Sequence, residues 1–219
     1  MIDSNQHMDR GGTKLVLRVI LAMIGSYALG GLLGGALVAK LRGVDLRRHG
    51  SGNIGTTNVL RTLGPLYAVA TLAVDVGKGS GAVILGRWTG VPGIDALCGF
   101  LVVAGHSWPF FSAMRGGKGI ATALGTLILL APRALLVLLP LWAVLALPTG
   151  FVSLGSVTAA ALFPIVMFVA ARGAPDAIFL VGYAFLCAVV VIYRHRENII
   201  RLRQGKESSL WRRHKRETI

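Results

Sequence analysis

Three short stretches of this 219-residue chain bring glycine, hydroxyl and cationic residues together at spacings that suit oxyanion chemistry. The first is GSGNIGTTNVLR, residues 50–61, in which Gly50, Gly52 and Gly55 stand at the spacing of a dinucleotide-binding fingerprint. That fingerprint works only after a strand and at the opening of a helix in a βαβ unit. Here it follows AKLRGVDLRRH, which supplies no such strand, so a nucleotide site is rejected. The physics of the pattern survives the rejection. Bare backbone N–H groups, the donors of Ser51, Asn53, Thr56 and Thr57, and the fixed fork of Arg61 together suit phosphate.

The second stretch is GHSWPFFSAMRGGKGIAT, residues 105–122. Gly116, Gly117 and Gly119 leave the backbone bare around the Lys118 ammonium and lead into an apolar run, so backbone N–H groups and a positive helix end are expected to face an anion. No hydroxyl residue follows the lysine, and the earlier glycine is misplaced for a Walker A loop, so phosphate binding is expected here without nucleotide hydrolysis. The third stretch, YRHRENIIRLRQGKE, covers residues 193–207. His195 and Asn198 are three apart and share one face of a helix, with Glu197, Arg201 and Arg203 around them. His49, His106 and His195 have no metal-ligand spacing and sit among cations that repel a divalent ion, so no metal is expected.

Such residues need a scaffold, and composition says which kind. The chain is 54% hydrophobic and 15% charged, with a mean hydropathy of +0.67, which marks a membrane protein. Apolar segments at 15–39, 65–86, 91–109, 119–132, 133–149, 151–171 and 176–193 approach the roughly 20 residues that cross a hydrocarbon core, the third and fourth being short. The expectation is an all-α integral membrane protein, a compact bundle of seven transmembrane helices. Residues 1–14 read as a polar N-terminal tail, 15–207 as the seven-span domain and 208–219 as a basic tail. The first span is too long for a signal-peptide core and lacks a cleavage pattern, so it reads as retained.

With seven spans, all three polar stretches and the C-terminus share one side. That side collects sixteen Lys and Arg against six on the other, which makes it cytoplasmic and leaves the N-terminus outside. The net charge of +14 is explained by this rule and, in the tail WRRHKRETI, by attraction to anionic lipid headgroups. No soluble domain exists to carry nucleic-acid binding. Cys98 and Cys187 lie in apolar runs and read as small core residues. Gly30, Gly31, Gly34 and Gly35 read as a close-packing face of the first span, and Asp75 and Lys78, three apart in the second, as a structural ion pair.

The three stretches together closely resemble the motifs of the bacterial acyl-phosphate:glycerol-3-phosphate acyltransferases, the PlsY family, in the right order and over nearly the whole chain. The resemblance implies a multi-pass enzyme of the bacterial cytoplasmic (inner) membrane with its site facing the cytoplasm. It implies transfer of a fatty acyl group from acyl phosphate to the 1-hydroxyl of glycerol 3-phosphate, releasing lysophosphatidic acid and inorganic phosphate. No cofactor, no direct use of acyl-CoA or acyl carrier protein and no obligatory protein partner are implied. Carried over by motif, Ser51, Thr57 and Arg61, then Gly116, Gly117 and Lys118, then His195 and Asn198 would line the site, with His195, Asn198 and Lys118 in catalytic roles. The family also uses a serine on the turn VSLGS, here Ser153 or Ser156, of which spacing favours Ser156. Trp108, Arg115 and the extended basic tail depart from the family pattern.

Other glycerol-phosphate acyltransferases activate the hydroxyl with a His-x4-Asp dyad, and none of the five histidines here has Asp five positions later. An acyl phosphate is already activated, because its phosphate leaves without help from a general acid, so direct displacement without an acyl-enzyme is expected. His195 is then either the base or a positioning group. The rival class is a membrane carrier or channel for organic phosphates, which also uses Gly-rich broken helices.

Overall fold

The computed structural model describes residues 3–112 and 114–211, the side chains of residues 3–11 and of Phe111 excepted. Most of the basic tail expected at 208–219 therefore lies outside the described residues. Among the described residues every regular element is helical. Helices α1 (Asp3–Gly30) and α2 (Gly34–Leu41) precede a loop that contains a 3-10 turn, Leu46–Arg48, and the short α3 (Thr56–Thr62). Then come α4 (Pro65–Trp88), α5 (Ile94–Ser107), α6 (Ile120–Leu130), α7 (Pro132–Thr149), α8 (Val152–Ala170), α9 (Ala177–Arg194) and α10 (Arg196–Arg203).

The breaks follow local chemistry. Gly64 at φ +94° turns the chain into α4, whose first residue is Pro65, a residue with no N–H to lose at that position. Gly119 at φ +82° directs the chain into α6 immediately after Lys118. Pro132 separates α6 from α7, and Gly150 at φ +70° ends α7.

Five helical stretches are long and apolar enough to cross a membrane, in α1, α4, α7, α8 and α9; α5 and α6 are apolar and shorter. Much of their surface faces outward: Leu136 and Ile178 are more than three-quarters exposed, with Val144, Ile165 and Phe168 also bare. A contiguous apolar exterior of this extent fits hydrocarbon and not water. Inside, α4 packs on α1, α5 and α6, α7 on α8, and α9 on α5 and α8. The main core joins Val102 and Val103 of α5, Leu127 of α6, Leu138 of α7, Phe163 and Met167 of α8 and Tyr183 of α9. A second, smaller core of Val38, Ala39, Leu46, Val59 and Ala68 fastens the loop between α2 and α4 to the bundle.

The apolar segment expected to be continuous over 15–39 is broken at residues 31–33. The ion pair anticipated in the second span lies against this break. Lys78 Nζ donates to the carbonyls of Gly30 (3.0 Å) and Leu32 (2.7 Å), and Asp75 Oδ1 accepts from Gly34 N–H (3.4 Å). Backbone groups freed by the interruption are thus satisfied by two buried side chains 2.8 Å apart. The glycines pack as expected, but against different neighbours: a Cβ on Gly30 would strike α5 at Val102 O, and one on Gly35 would strike Ile54 O.

Candidate active site

The 50–61 stretch is organised around Asn58, which is buried on α3. Its Nδ2 donates to Leu46 O (3.1 Å) and His49 O (3.0 Å), and its Oδ1 accepts from Ser51 N–H (2.8 Å). Gly50, at φ +60°, lies so close to Asn58 Oδ1 that no Cβ could be accommodated. Gly52 N–H is likewise engaged, by His49 O at 3.1 Å. These glycines therefore shape a loop whose N–H groups are partly used internally, in contrast to the bare donors expected from the sequence. Groups left for a ligand are on α3: Thr56 Oγ1 and Arg61 Nε are buried without a partner among the described residues, while Arg61 Nη2 donates to Ser208 O (2.8 Å). Burial, offset in part by Glu207 and reinforced by Arg201, lowers the Arg61 pKa from its ordinary value.

The 105–122 stretch is folded by His106 and Arg194. Gly117 N–H donates to His106 O (3.0 Å), and the His106 ring leaves no room for a Cβ at Gly117. Arg194 clamps the far side, with Nε on Gly117 O (2.9 Å) and Nη2 on Gly116 O (2.6 Å). Gly116 and Gly117 consequently stand behind the site wall and do not line the cavity, whereas Lys118 does. Lys118 Nζ donates to Asn198 Oδ1 at 2.6 Å. Its pKa is lowered to about 8, chiefly by burial, with Glu207 opposing and Arg201 and Arg61 adding to the depression.

His195 sits at the junction of α9 and α10, and Asn198 lies on the first turn of α10 beyond it; both are buried. His195 Nδ1 is 2.8 Å from Val191 O, which can only accept, so Nδ1 carries a proton and Nε2 is left as the acceptor of the neutral ring. Burial first and Lys118 second bring the His195 pKa down to about 4. Desolvation is the larger of the two causes.

A residue not singled out in the sequence ties this end together. Glu207 Oε1 accepts from Asn198 Nδ2 (2.6 Å) and Ser153 Oγ (2.8 Å), and its Oε2 pairs with Arg201 Nε (2.8 Å). These hydrogen bonds hold its carboxyl below the usual range despite burial. The available signal was its place as the last residue of the third stretch, the one acid there besides Glu197. Ser156 Oγ accepts from Trp142 Nε1 (3.3 Å), so its own proton is free to donate.

These groups share one cavity of about 480 Å³. Ser51, Thr57, Arg61, Lys118, Ser153, Ser156, His195 and Asn198 all line it. Away from them it continues between α6, α7, α8 and α9 along Leu124, Leu127, Leu138, Trp142, Ala160 and Phe163. Its volume falls in the range of about 300–1,000 Å³ that ligand pockets occupy. A helical membrane bundle that joins a cationic pocket to an apolar sleeve has the shape and charge that suit an amphiphile with an anionic head.

Comparison with known proteins makes the class specific. A family model described as glycerol-3-phosphate acyltransferase matches residues 20–205. The glycerol-3-phosphate acyltransferase of Desulforudis audaxviator is 47% identical over 194 residues, spanning 88% of this chain and 96% of that protein. That of Geobacter sulfurreducens is 43% identical, spanning 84% and 93%. The fold matches the crystal structure of PlsY, an integral membrane glycerol 3-phosphate acyltransferase, in its glycerol 3-phosphate form, with a TM-score of 0.79 and 36% identity over 88% of this chain and 95% of that one. The lysophosphatidic acid form of PlsY gives 0.78 and 35%, over 87% and 94%. This chain belongs to the glycerol-3-phosphate acyltransferase family and is an integral membrane enzyme, as its three motifs led us to expect.

Proposed function

We propose that the enzyme moves a fatty acyl group from acyl phosphate to the 1-hydroxyl of glycerol 3-phosphate by direct displacement. The observation that carries this reading is the convergence of Lys118, Arg61, His195 and Asn198 at the cationic end of a cavity whose other end is apolar. Lys118 and Arg61 hold the substrate phosphates, and the acyl chain lies in the sleeve between α6 and α9. His195 Nε2 accepts a hydrogen bond from the glycerol hydroxyl, with Asn198 holding Lys118 and the substrate in register. Ser51, Thr57, Ser153 and Ser156 offer hydroxyls at the walls, and Gly116 and Gly117 set the course of the loop that presents Lys118. The hydroxyl oxygen bonds to the acyl carbon, the carbon–oxygen bond to phosphate breaks, and the hydroxyl proton passes to a phosphate oxygen. Lysophosphatidic acid and inorganic phosphate leave.

For the setting, we read seven spans, the five long ones together with the shorter α5 and α6, in a bacterial cytoplasmic membrane. The N-terminus is outside and the site opens to the cytoplasm, which the sixteen-to-six charge asymmetry supports. The purified protein in detergent, given acyl phosphate and glycerol 3-phosphate alone, is expected to release phosphate in step with lysophosphatidic acid. A carrier needs a sealed compartment and yields no covalent product, so absence of product would overturn the reading. Trapping of a radiolabelled acyl group on the protein after acid quench would replace single displacement by an acyl-enzyme.

A further inference from the structure

Beyond residue 205, where the family match ends, the chain turns back over the cavity and is fixed at each step. Ser208 O accepts from Arg61 Nη2 (2.8 Å). Ser209 Oγ donates to Thr149 O (3.2 Å), Leu210 N–H to Gly150 O (2.9 Å), and Trp211 Nε1 to Leu147 O (2.8 Å). Gly150 is built for this seat: its φ is +70°, and a Cβ there would collide with Ser209 Oγ. Ser208 and Leu210 also line the cavity.

From this geometry we propose that residues 208–211 are a strap that positions Arg61 for substrate phosphate, by holding one arm of its guanidinium on the Ser208 carbonyl. A guanidinium is a rigid planar fork, so fixing Nη2 fixes the direction of every other N–H. Arg61 Nε is buried and has no partner among the described residues. One N–H of the fork is thus spent on the strap, and the Nε–H beside it is left for an oxyanion at the cavity. The strap is fixed from both sides of Ser208, by Glu207 held on Ser153, Asn198 and Arg201 before it and by the anchor on the α7–α8 turn after it, and a chain without these could not aim an arginine on α3. Strap order and phosphate binding are therefore coupled through a single side chain: each makes the other more favourable, and by the same factor. This inference rests on the reading of Arg61 as a phosphate ligand.

The test uses the full chain with two strap variants that leave the bundle core untouched. Leu210→Pro removes the N–H that bonds Gly150 O, and Gly150→Ala places a methyl group against Ser209. Each is expected to raise KM for glycerol 3-phosphate, or Kd for inorganic phosphate, about tenfold, with kcat changed less than about threefold, the loss of one aligned charge-assisted contact. In an Arg61→Ala background neither variant should weaken binding further, since the strap then has nothing to aim. In the unaltered chain, glycerol 3-phosphate should slow amide hydrogen exchange over 208–211, and in Arg61→Ala it should not. Additive losses in the double variants, unchanged binding in both strap variants, or exchange protection that survives Arg61→Ala would each overturn the strap. Failure to form lysophosphatidic acid while phosphate still protects 208–211 would instead overturn the acyl-transfer reading and leave the strap standing.

Discussion

Two lysines inside this bundle have opposite surroundings, Lys78 buried and Lys118 half-buried. Lys78 on α4 is enclosed: Asp75 Oδ1 at 2.8 Å, Gly30 O, Leu32 O and His106 Nδ1 at 2.7 Å surround its ammonium, and both side chains of the ion pair are 2% exposed. Among the described residues Lys118 has a single hydrogen-bond partner, Asn198 Oδ1, so two of its N–H bonds remain for an incoming oxygen. Nearby Arg61 is likewise incompletely used. A cation whose donors are all taken by the protein serves structure, and one with donors to spare at a cavity is available to a ligand. The contrast in partners separates the two lysines in the same sense as their burial does.

Breaking the enclosed site should have the largest effect. Asp75→Ala leaves Lys78 charged, buried and short of its counter-ion, and frees Gly34 N–H at the α1–α2 break. Removing one partner of a buried pair costs about 3–5 kcal/mol, so the expected outcome is a large fall in detergent Tm and little folded protein. Replacing both, as Asp75→Leu with Lys78→Met, should recover only part of the loss, because the carbonyls of Gly30 and Leu32 then have no donor. A normal Tm in Asp75→Ala would remove the structural role.

The open site should respond in the other way. Lys118→Met relieves a desolvated charge and is expected to keep or raise Tm. It should lower kcat/KM by about one to two decades, which corresponds to roughly 1.5–3 kcal/mol of lost charge-assisted bonding. Arg61→Ala should fall in the same range. Near-normal activity in either variant, measured in folded protein, would take that residue out of the site.

How much of this contrast the sequence could carry depends on how local each feature is. Lys118 was legible because its glycines and its cation are neighbours in the chain, and the same holds for Arg61 among its hydroxyls. The break at residues 31–33 was hidden inside an unbroken apolar run, since Lys78, which satisfies its carbonyls, is 46 residues from Leu32. Glu207 was missed for the same reason: its meaning is the meeting of Ser153, Asn198 and Arg201, contributed by α8 and α10. The glycines were read correctly as necessary but with the wrong purpose in part. Gly50 makes room for Asn58 Oδ1 and Gly117 for the His106 ring, which only packing reveals.

A smaller effect is expected at His195. With Nδ1 committed to Val191 O, the ring can accept at Nε2 but is a weak base. His195→Gln keeps hydrogen-bonding capacity and should raise KM for glycerol 3-phosphate about tenfold, with kcat reduced far less than the two to four decades that loss of a general base costs. A kcat loss of that larger size with unchanged KM would assign the proton to His195.

The finest test is the pH profile, where the two cations and the histidine predict different limbs. Lys118 must be protonated to bind phosphate, and its pKa is lowered from 10.5 to about 8, so kcat/KM should fall as pH rises through about 8. Lys118→Arg should move that limb beyond the alkaline end of the profile. Stability should move oppositely: between about 8 and 10.5 the unfolded chain holds a proton on this lysine that the folded one lacks, so folding is favoured as pH rises across that window. His195, lowered from 6.5 to about 4, is neutral in the folded protein over the interval in which it would be protonated when unfolded. It therefore removes stability as pH falls from 6.5 toward 4, and contributes no kinetic limb near 6.5. Phosphate monoesters have their second pKa at about 6, and if a substrate phosphate takes the hydroxyl proton, the acid limb of kcat/KM belongs near that value. It should then persist, unshifted, in His195→Gln. An acid limb near 4 that vanishes in the same variant would mean the imidazole is the base, and the open site would hold a catalytic acid–base group as well as its two spare cations.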